Sequence, residues 1–202
     1  MTGRSSAKAR ATRARILEAA RRELGRDPDC SLGDIAEAAD VARRTIYEHF
    51  AGRAALVEGL ATDAGEAVRR ASATARAPTP DAVTALARLL LTLWPVGDRY
   101  RTLIGLAHHD LGPGGVDALL GPARDAVAGI LAHGRRQGVF HTAVPPGPLS
   151  RALEAHLLAL LESVNSGLWT DDGTAAATAA LIAAGVGPDL AATTVHRLRP
   201  NR

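Results

Sequence analysis

Between Ser31 and Leu56 the apolar positions Ile35, Ala36, Ala39, Val41, Ile46 and Phe50 follow helical spacing and change phase at Asp40-Val41, as expected of two short helices packed across a turn. Ser31 followed by Asp34 three residues later predicts a capped start at Leu32, because hydroxyl and carboxylate can each take a free backbone N–H. The second helix is predicted from about Ala42 to His49. With Ile46 and Phe50 inward, its outward residues are Arg43, Arg44, Thr45, Tyr47 and His49. Upstream, Ile16, Leu17, Ala20 and Leu24 form one stripe of a helix from about Ala7 to Leu24, behind which Met1 to about Ser6 reads as a polar arm. Asp27-Pro28-Asp29 breaks that helix.

Downstream, Leu56, Val57, Leu60, Ala64, Val68 and Ala71 predict a helix from about Arg53 to Ala75, placed to connect two parts of the chain. Thr79 is expected to cap a fifth helix, with Pro80 and Asp81 in its first turn and Pro95 and Gly97 as its stop. Val83, Leu86, Leu89, Leu90, Leu91, Leu93 and Trp94 make it apolar nearly all round, and therefore buried. Gly112-Pro113-Gly114-Gly115 reads as a break, followed by a short turn at Val116 to Leu120 and a helix from about Pro122 to Gln137. Val139 to Pro148 is too rich in proline to be helical throughout. Three further helices are expected, from about Leu149 to Leu168, from Asp171-Asp172 to about Ala184, and from Gly187-Pro188 to near Leu198.

The resulting fold class is all-α. Domain boundaries are expected at 1–51, an arm and helix-turn-helix, and 52–202, a helical domain joined through the helix from about 53 to 75. An apolar content of 47% over 202 residues can build such cores. Net charge is only +3, yet eight basic residues stand against two acidic ones between Met1 and Arg26, next to the hairpin. A local basic field favours a polyanion and makes its binding salt-dependent. Cys30 is the only cysteine, which excludes an internal disulfide and fits a reducing cytoplasm. No apolar run approaches the ~20 residues of a membrane span. No glycine-rich phosphate loop or nucleophile elbow points to an enzyme, and no cofactor is implied. His108 and His109 are adjacent, so on a helix they point about 100° apart and make a poor metal site.

Arg43 and Arg44 suit recognition of base edges, since an α-helix fits the major groove and Arg grips guanine with two bonds. The segment IAEAADVARRTIYEHFAGRAAL closely resembles the DNA-binding signature of TetR-type repressors. That resemblance implies base-facing roles for Arg43 and Arg44 and phosphate contacts from Thr45, Tyr47, His49 and Arg53, with Ser31 counted among the DNA-contacting residues. Two positions depart from the pattern: Asp40 stands where glycine is common, and Ala42 where serine or threonine would cap the recognition helix. Fraying of that helix in the absence of DNA follows as an expectation.

The resemblance further implies a homodimer through the helices at about 149–168 and 172–184, a palindromic double-stranded operator, and a small-molecule effector held between helices of the second domain. Polar and aromatic candidates for the effector site are Trp94, Tyr100, His108, His109, His133, His156, Asn165 and Trp169. The function expected is a cytoplasmic, ligand-responsive repressor. The alternatives are an activator or ligand-independent regulator of the same fold, and a DNA-coating protein without sequence preference.

Overall fold

A computed structural model describes residues 2–75, 81–100, 103 and 112–199. Among these residues all regular structure is helical. The helices are α1 (Thr2–Arg26), α2 (Leu32–Ala38), α3 (Arg43–His49), α4 (Arg53–Thr74), α5 (Ala82–Arg99), α6 (Gly112–Gln137), α7 (Pro146–Asn165), α8 (Thr174–Ala183) and α9 (Pro188–Leu198). They group into two compact units, Met1–Ala64 with Thr102–Val116 and Gly65–Arg101 with Asp117–Arg202.

In the first unit, α1 packs on α2 and α2 on α3. Ile16, Leu24, Ile35, Ile46 and Leu56 are fully buried, so the predicted stripes face one another. In the second unit, α5 packs on α8 and α9, and α7 packs on α8. Its core joins Leu86, Leu89, Leu131, Phe140, Leu153, Leu181 and Val195. The alanine-rich α8 lets its neighbours approach closely, because Ala176, Ala177, Ala180 and Ala184 are almost wholly buried.

Several expected boundaries shift, for identifiable reasons. α1 begins at Thr2, so the polar arm is helical there. Asp81 is the N-cap of α5 rather than a first-turn residue, its carboxylate accepting from the Val83 and Thr84 N–H groups at 3.1 and 3.0 Å. The proposed cap Thr79 lies outside the described residues. α5 runs through Pro95 and Gly97 to Arg99 instead of stopping. Leu161 from α7 lies against Gly97, where a Cβ would sit 2.7 Å from its Cδ1, so packing holds the last turn despite the missing Pro95 donor.

The Gly112-Pro113-Gly114-Gly115 run is the first turn of α6 and not a break, and α6 continues through Pro122 without the separate short turn. Proline is tolerated in a first turn because those N–H groups have no intrahelical acceptor. The same reason lets α7 start at Pro146, three residues ahead of the expected Leu149 and within the stretch not expected to be helical throughout, and it ends at Asn165 rather than Leu168. Gly167 takes φ 72°, its own N–H bonds back to Val164 O and that of Leu168 to Ser163 O, closing the helix. α8 starts at Thr174 because the Asp171 carboxylate caps it from outside, accepting from the Ala175 and Ala176 N–H groups at 3.1 and 2.9 Å.

Candidate nucleic-acid interface

The hairpin of α2 and α3 is built by local bonds that the residues themselves supply. The Asp34 N–H donates to the Ser31 hydroxyl at 3.2 Å and the Ser31 N–H donates to the Asp34 carboxylate at 2.8 Å, a complete capping box. Hydrogen bonds from Ser31, its backbone N–H foremost and its side chain next, hold the Asp34 carboxyl below its ordinary range. Ser31 therefore acts as the cap of α2, with its exposed side chain committed to that bond.

The turn is made by Asp40, which takes φ 52° and is the only non-glycine residue at positive φ among those described. Its N–H donates to Glu37 O and the Val41 N–H to Ala36 O, each at 3.0 Å. This pair of bonds is the αL closure that usually employs glycine. Ala42 then serves as N-cap of α3 and provides no side-chain bond.

α3 buries Ile46 and turns Arg43, Arg44, Tyr47 and Glu48 to solvent, with Thr45 and His49 half-buried. The predicted outward set is therefore gathered on one short helix. Arg44 is 88% exposed in its side chain and pairs only with Glu48 one turn on, at 3.3 Å; such an exposed i,i+4 pair is weak and easily exchanged for another anion. Tyr47 is exposed by more than half. Arg43 differs, because its guanidinium lies back over α2: a Cβ built on Gly33 would meet its Nη2 at 2.8 Å.

Arg53 is placed differently from the remaining outward residues. Its guanidinium donates to the carbonyl oxygens of Cys30, at 3.0 Å, and Pro28, stapling the α1–α2 connection to the start of α4. Burial pushes the Cys30 thiol upward, while the Arg53 charge partly opposes that shift.

Two supporting residues carry roles that hydrophobic spacing did not predict. Phe50, the C-cap of α3, receives the Arg13 guanidinium over its ring at 5.1 Å from the centre. Gly59 of α4 lies against the same ring, where a Cβ would come within 2.7 Å of Cε1. The usable signal for Gly59 was an isolated glycine within a helical pattern, which generally has a packing reason.

The effector candidates are spread over the second unit. Trp94 is buried and donates its indole N–H to Asp171 O at 3.3 Å, with Trp169 edge-on at 6.2 Å and Gly173 against its ring. Tyr100 is buried, with the Arg99 guanidinium 5.7 Å from its ring centre. His133 is exposed beside Arg136 and Asn165 is exposed, whereas His156 is half-buried. The Nε2 atom of His156 and the hydroxyl of Ser72 are buried polar atoms without a protein partner. His108 and His109 lie outside the described residues. No cluster of metal-ligating side chains occurs among those described.

Residues 16–60 match the family model for bacterial regulatory proteins of the tetR family. Comparison with curated proteins yields no sequence match. Among solved structures, the chain resembles RolR in complex with resorcinol at 25% identity and a TM-score of 0.64, over 97% of this chain and 98% of that one. It resembles the TetR-like regulator LfrR from Mycobacterium smegmatis, in complex with proflavine, at 25% identity and a TM-score of 0.67, over 86% and 94%. A gamma-butyrolactone receptor described as ArpA-like shares the fold at 18% identity and a TM-score of 0.75, over 95% and 98%.

Proposed function

We propose, from the match of residues 16–60 to the tetR family of bacterial regulatory proteins, that this chain is a homodimeric repressor released from a palindromic operator by a small molecule. In this reading the chain is a transcriptional regulator and not an enzyme. The observation that carries the finer reading is α3, which buries Ile46 and holds Arg44 and Tyr47 out to solvent behind a fully capped α2. Arg44 is the base reader in this account. Tyr47, Thr45 and His49 hold phosphates, and Arg43 reaches DNA by leaving its place over Gly33.

A single seven-residue helix reads few base pairs. Two copies related by a two-fold axis read two half-sites about 34 Å apart, which makes a palindrome the natural target. We assign the pairing to α7 and α8. No helix among the described residues is long and apolar enough to cross a membrane, and we place the protein in the cytoplasm with its operator.

The effector reading rests on two features of the second unit. His156 Nε2 and Ser72 Oγ are buried without protein partners, and a bound ligand would supply the missing bonds. RolR and LfrR were solved with resorcinol and proflavine, both compact aromatic compounds. A ligand releases the operator only if it binds the released conformation more tightly.

Selection of bound duplexes from random DNA at about 0.15 M salt, a fixed physiological ionic strength, tests this reading. Wild type enriches an inverted repeat, and Arg44→Ala blurs the repeat at defined positions while losing ~1–3 kcal/mol of affinity. Binding without any enriched motif would reject sequence-specific repression in favour of DNA coating.

A further inference from the structure

α1 extends well beyond the hairpin it supports. Packing begins at Thr12 and Arg13, whereas every residue from Ser6 to Ala11 is exposed. Burial therefore gives that stretch no reason to be helical. Propensity is little help either, since Gly3, Ser5 and Ser6 are poor helix formers. Charge opposes it: the first turn holds no acidic residue, and Arg4, Lys8, Arg10, Arg13 and Arg15 all precede Glu18, the first acid in the chain. Cations at a helix N-terminus repel the positive end of the helix dipole. A bound polyanion would reverse the sign of that effect.

The position of the segment identifies the polyanion. Arg13 sits over the ring of Phe50, and Phe50 closes the C-terminal end of α3. The exposed stretch therefore joins the rest of the first unit at a residue that touches the end of the recognition helix. From Arg13 back to Thr2 it is about 16 Å long at 1.5 Å per residue. With α3 in a major groove about 12 Å wide, an extension of that length is long enough to span to the phosphate strand bordering the groove. We propose that the N-terminal arm of α1 is a second DNA contact, in which Lys8 and Arg10 bind phosphates outside the half-site read by α3.

This inference rests on the operator reading and adds footprint and affinity to it without adding base preference. Phosphate contacts of this kind fix position and carry salt dependence, while base edges carry sequence. Lys8 and Arg10 touch no core side chain; Arg10 bonds only back to Ser6 O at 3.4 Å. Replacing them by alanine does not lower the thermal stability of the protein.

The experiment compares wild type, the double variant Lys8→Ala/Arg10→Ala, and Arg22→Ala, which removes an exposed cation from the other end of α1. Affinity is measured between 50 and 200 mM NaCl on a duplex with flanks of about ten base pairs, one helical turn, and on one trimmed to the selected repeat. On the flanked duplex the double variant lowers the slope of log K against log salt by about 1.8 per protomer, shrinking the salt response over that range about twelvefold. On the trimmed duplex it matches wild type, and Arg22→Ala matches wild type on both. An unchanged slope on the flanked duplex overturns the arm contact. So does a drop of about 0.9 from Arg22→Ala, the share of a single cation and the mark of bulk charge, or an equal drop of the double variant on the trimmed duplex, which would place the contact inside the half-site. If wild type enriches no repeat, the operator reading fails separately, and the slopes on a flanked duplex of arbitrary sequence still decide the arm.

Discussion

Asp40 and Ala42 are the two weak points of the hairpin, one strained and one uncapped. Four helix ends close by the same pair of backward bonds; three do so on Gly138, Gly167 and Gly185, and the end of α2 does so on Asp40 at φ 52°. An L-residue in that region pays a steric cost that glycine avoids. Asp40→Gly should raise stability by up to ~1 kcal/mol, net of the greater freedom glycine has in the unfolded chain. Two residues later the start of α3 has no side-chain acceptor. Ala42→Ser should add about 1 kcal/mol by bonding a free N–H of the first turn. Thermal melts of both variants check these values, and a lower melting temperature for Ala42→Ser would mean that the cap geometry at φ −63°, ψ 145° does not admit the bond. Gly59 poses the opposite case. A Cβ there would press on Phe50 at 2.7 Å and on Leu17 at 3.3 Å, both held in the core. Gly59→Ala should cost ~1–3 kcal/mol by overpacking, seen as a lower denaturant midpoint with an unchanged slope.

Between elements, the bonds that matter most join residues far apart in sequence. Arg124 of α6 donates to Glu154 of α7 at 2.8 and 3.0 Å and to Asp117 at 2.7 Å, and the Ser150 hydroxyl donates to the Arg124 carbonyl at 2.9 Å. Arg199, just past α9, donates to the Asp172 carboxylate at 2.5 Å, ahead of α8. A hydrogen bond from the Thr174 side chain, then the one from Arg199, holds the Asp172 carboxyl at about 2. Its folded value thus lies below the ~3.9 of an unfolded aspartate, so the contribution is complete above about pH 4 and is lost as pH falls towards 2. Asp172→Asn should lower the melting temperature at pH 7 and flatten its fall between pH 4 and 2. The slope that remains comes from groups such as Asp117, which its hydrogen bond from Arg124 holds low. An equal fall in both proteins would remove Asp172 from the acid transition. These links explain what was legible in the sequence. The hairpin could be read because its caps and stripes lie within a few residues of one another: Ser31 with Asp34, Ile35 with Ala39. Pro95, Pro113 and Pro146 were misleading because a proline states which N–H is missing, while only packing or position in the first turn decides whether the helix needs it. Arg53 was legible as a cation near the hairpin, but its bonds to Pro28 and Cys30 cross more than twenty positions of chain and depend on the packed fold.

At the scale of the whole molecule, the second unit keeps apolar surface that its own core does not use. Ala155 and Ala159 on α7 and Ala175, Ile182 and Ala183 on α8 are exposed although α8 is otherwise one of the most buried helices. Small side chains at these positions allow close helix approach, and Ile182, 42% exposed, is the largest apolar group among them. A second copy packing α7 and α8 against their equivalents would cover this surface and make an isologous contact in which Ile182 lies near the axis. Ile182→Glu places a carboxylate from each copy in that contact. An unpaired buried charge costs ~3 kcal/mol or more, so dimerisation should weaken at least a hundredfold. Each folded protomer loses almost nothing, because the residue is at the surface of the single chain. Sedimentation at micromolar concentration should therefore give a dimer for wild type and a monomer for Ile182→Glu, with the same circular dichroism. Operator affinity should follow the same transition. A monomer holds one recognition helix and one half-site, so the variant loses the steep preference for the inverted repeat while its weak binding to a half-site is unchanged. A dimeric Ile182→Glu protein with intact operator affinity would move the pairing surface away from α8. A wild-type monomer that still selects an inverted repeat would mean that the two copies meet only on DNA.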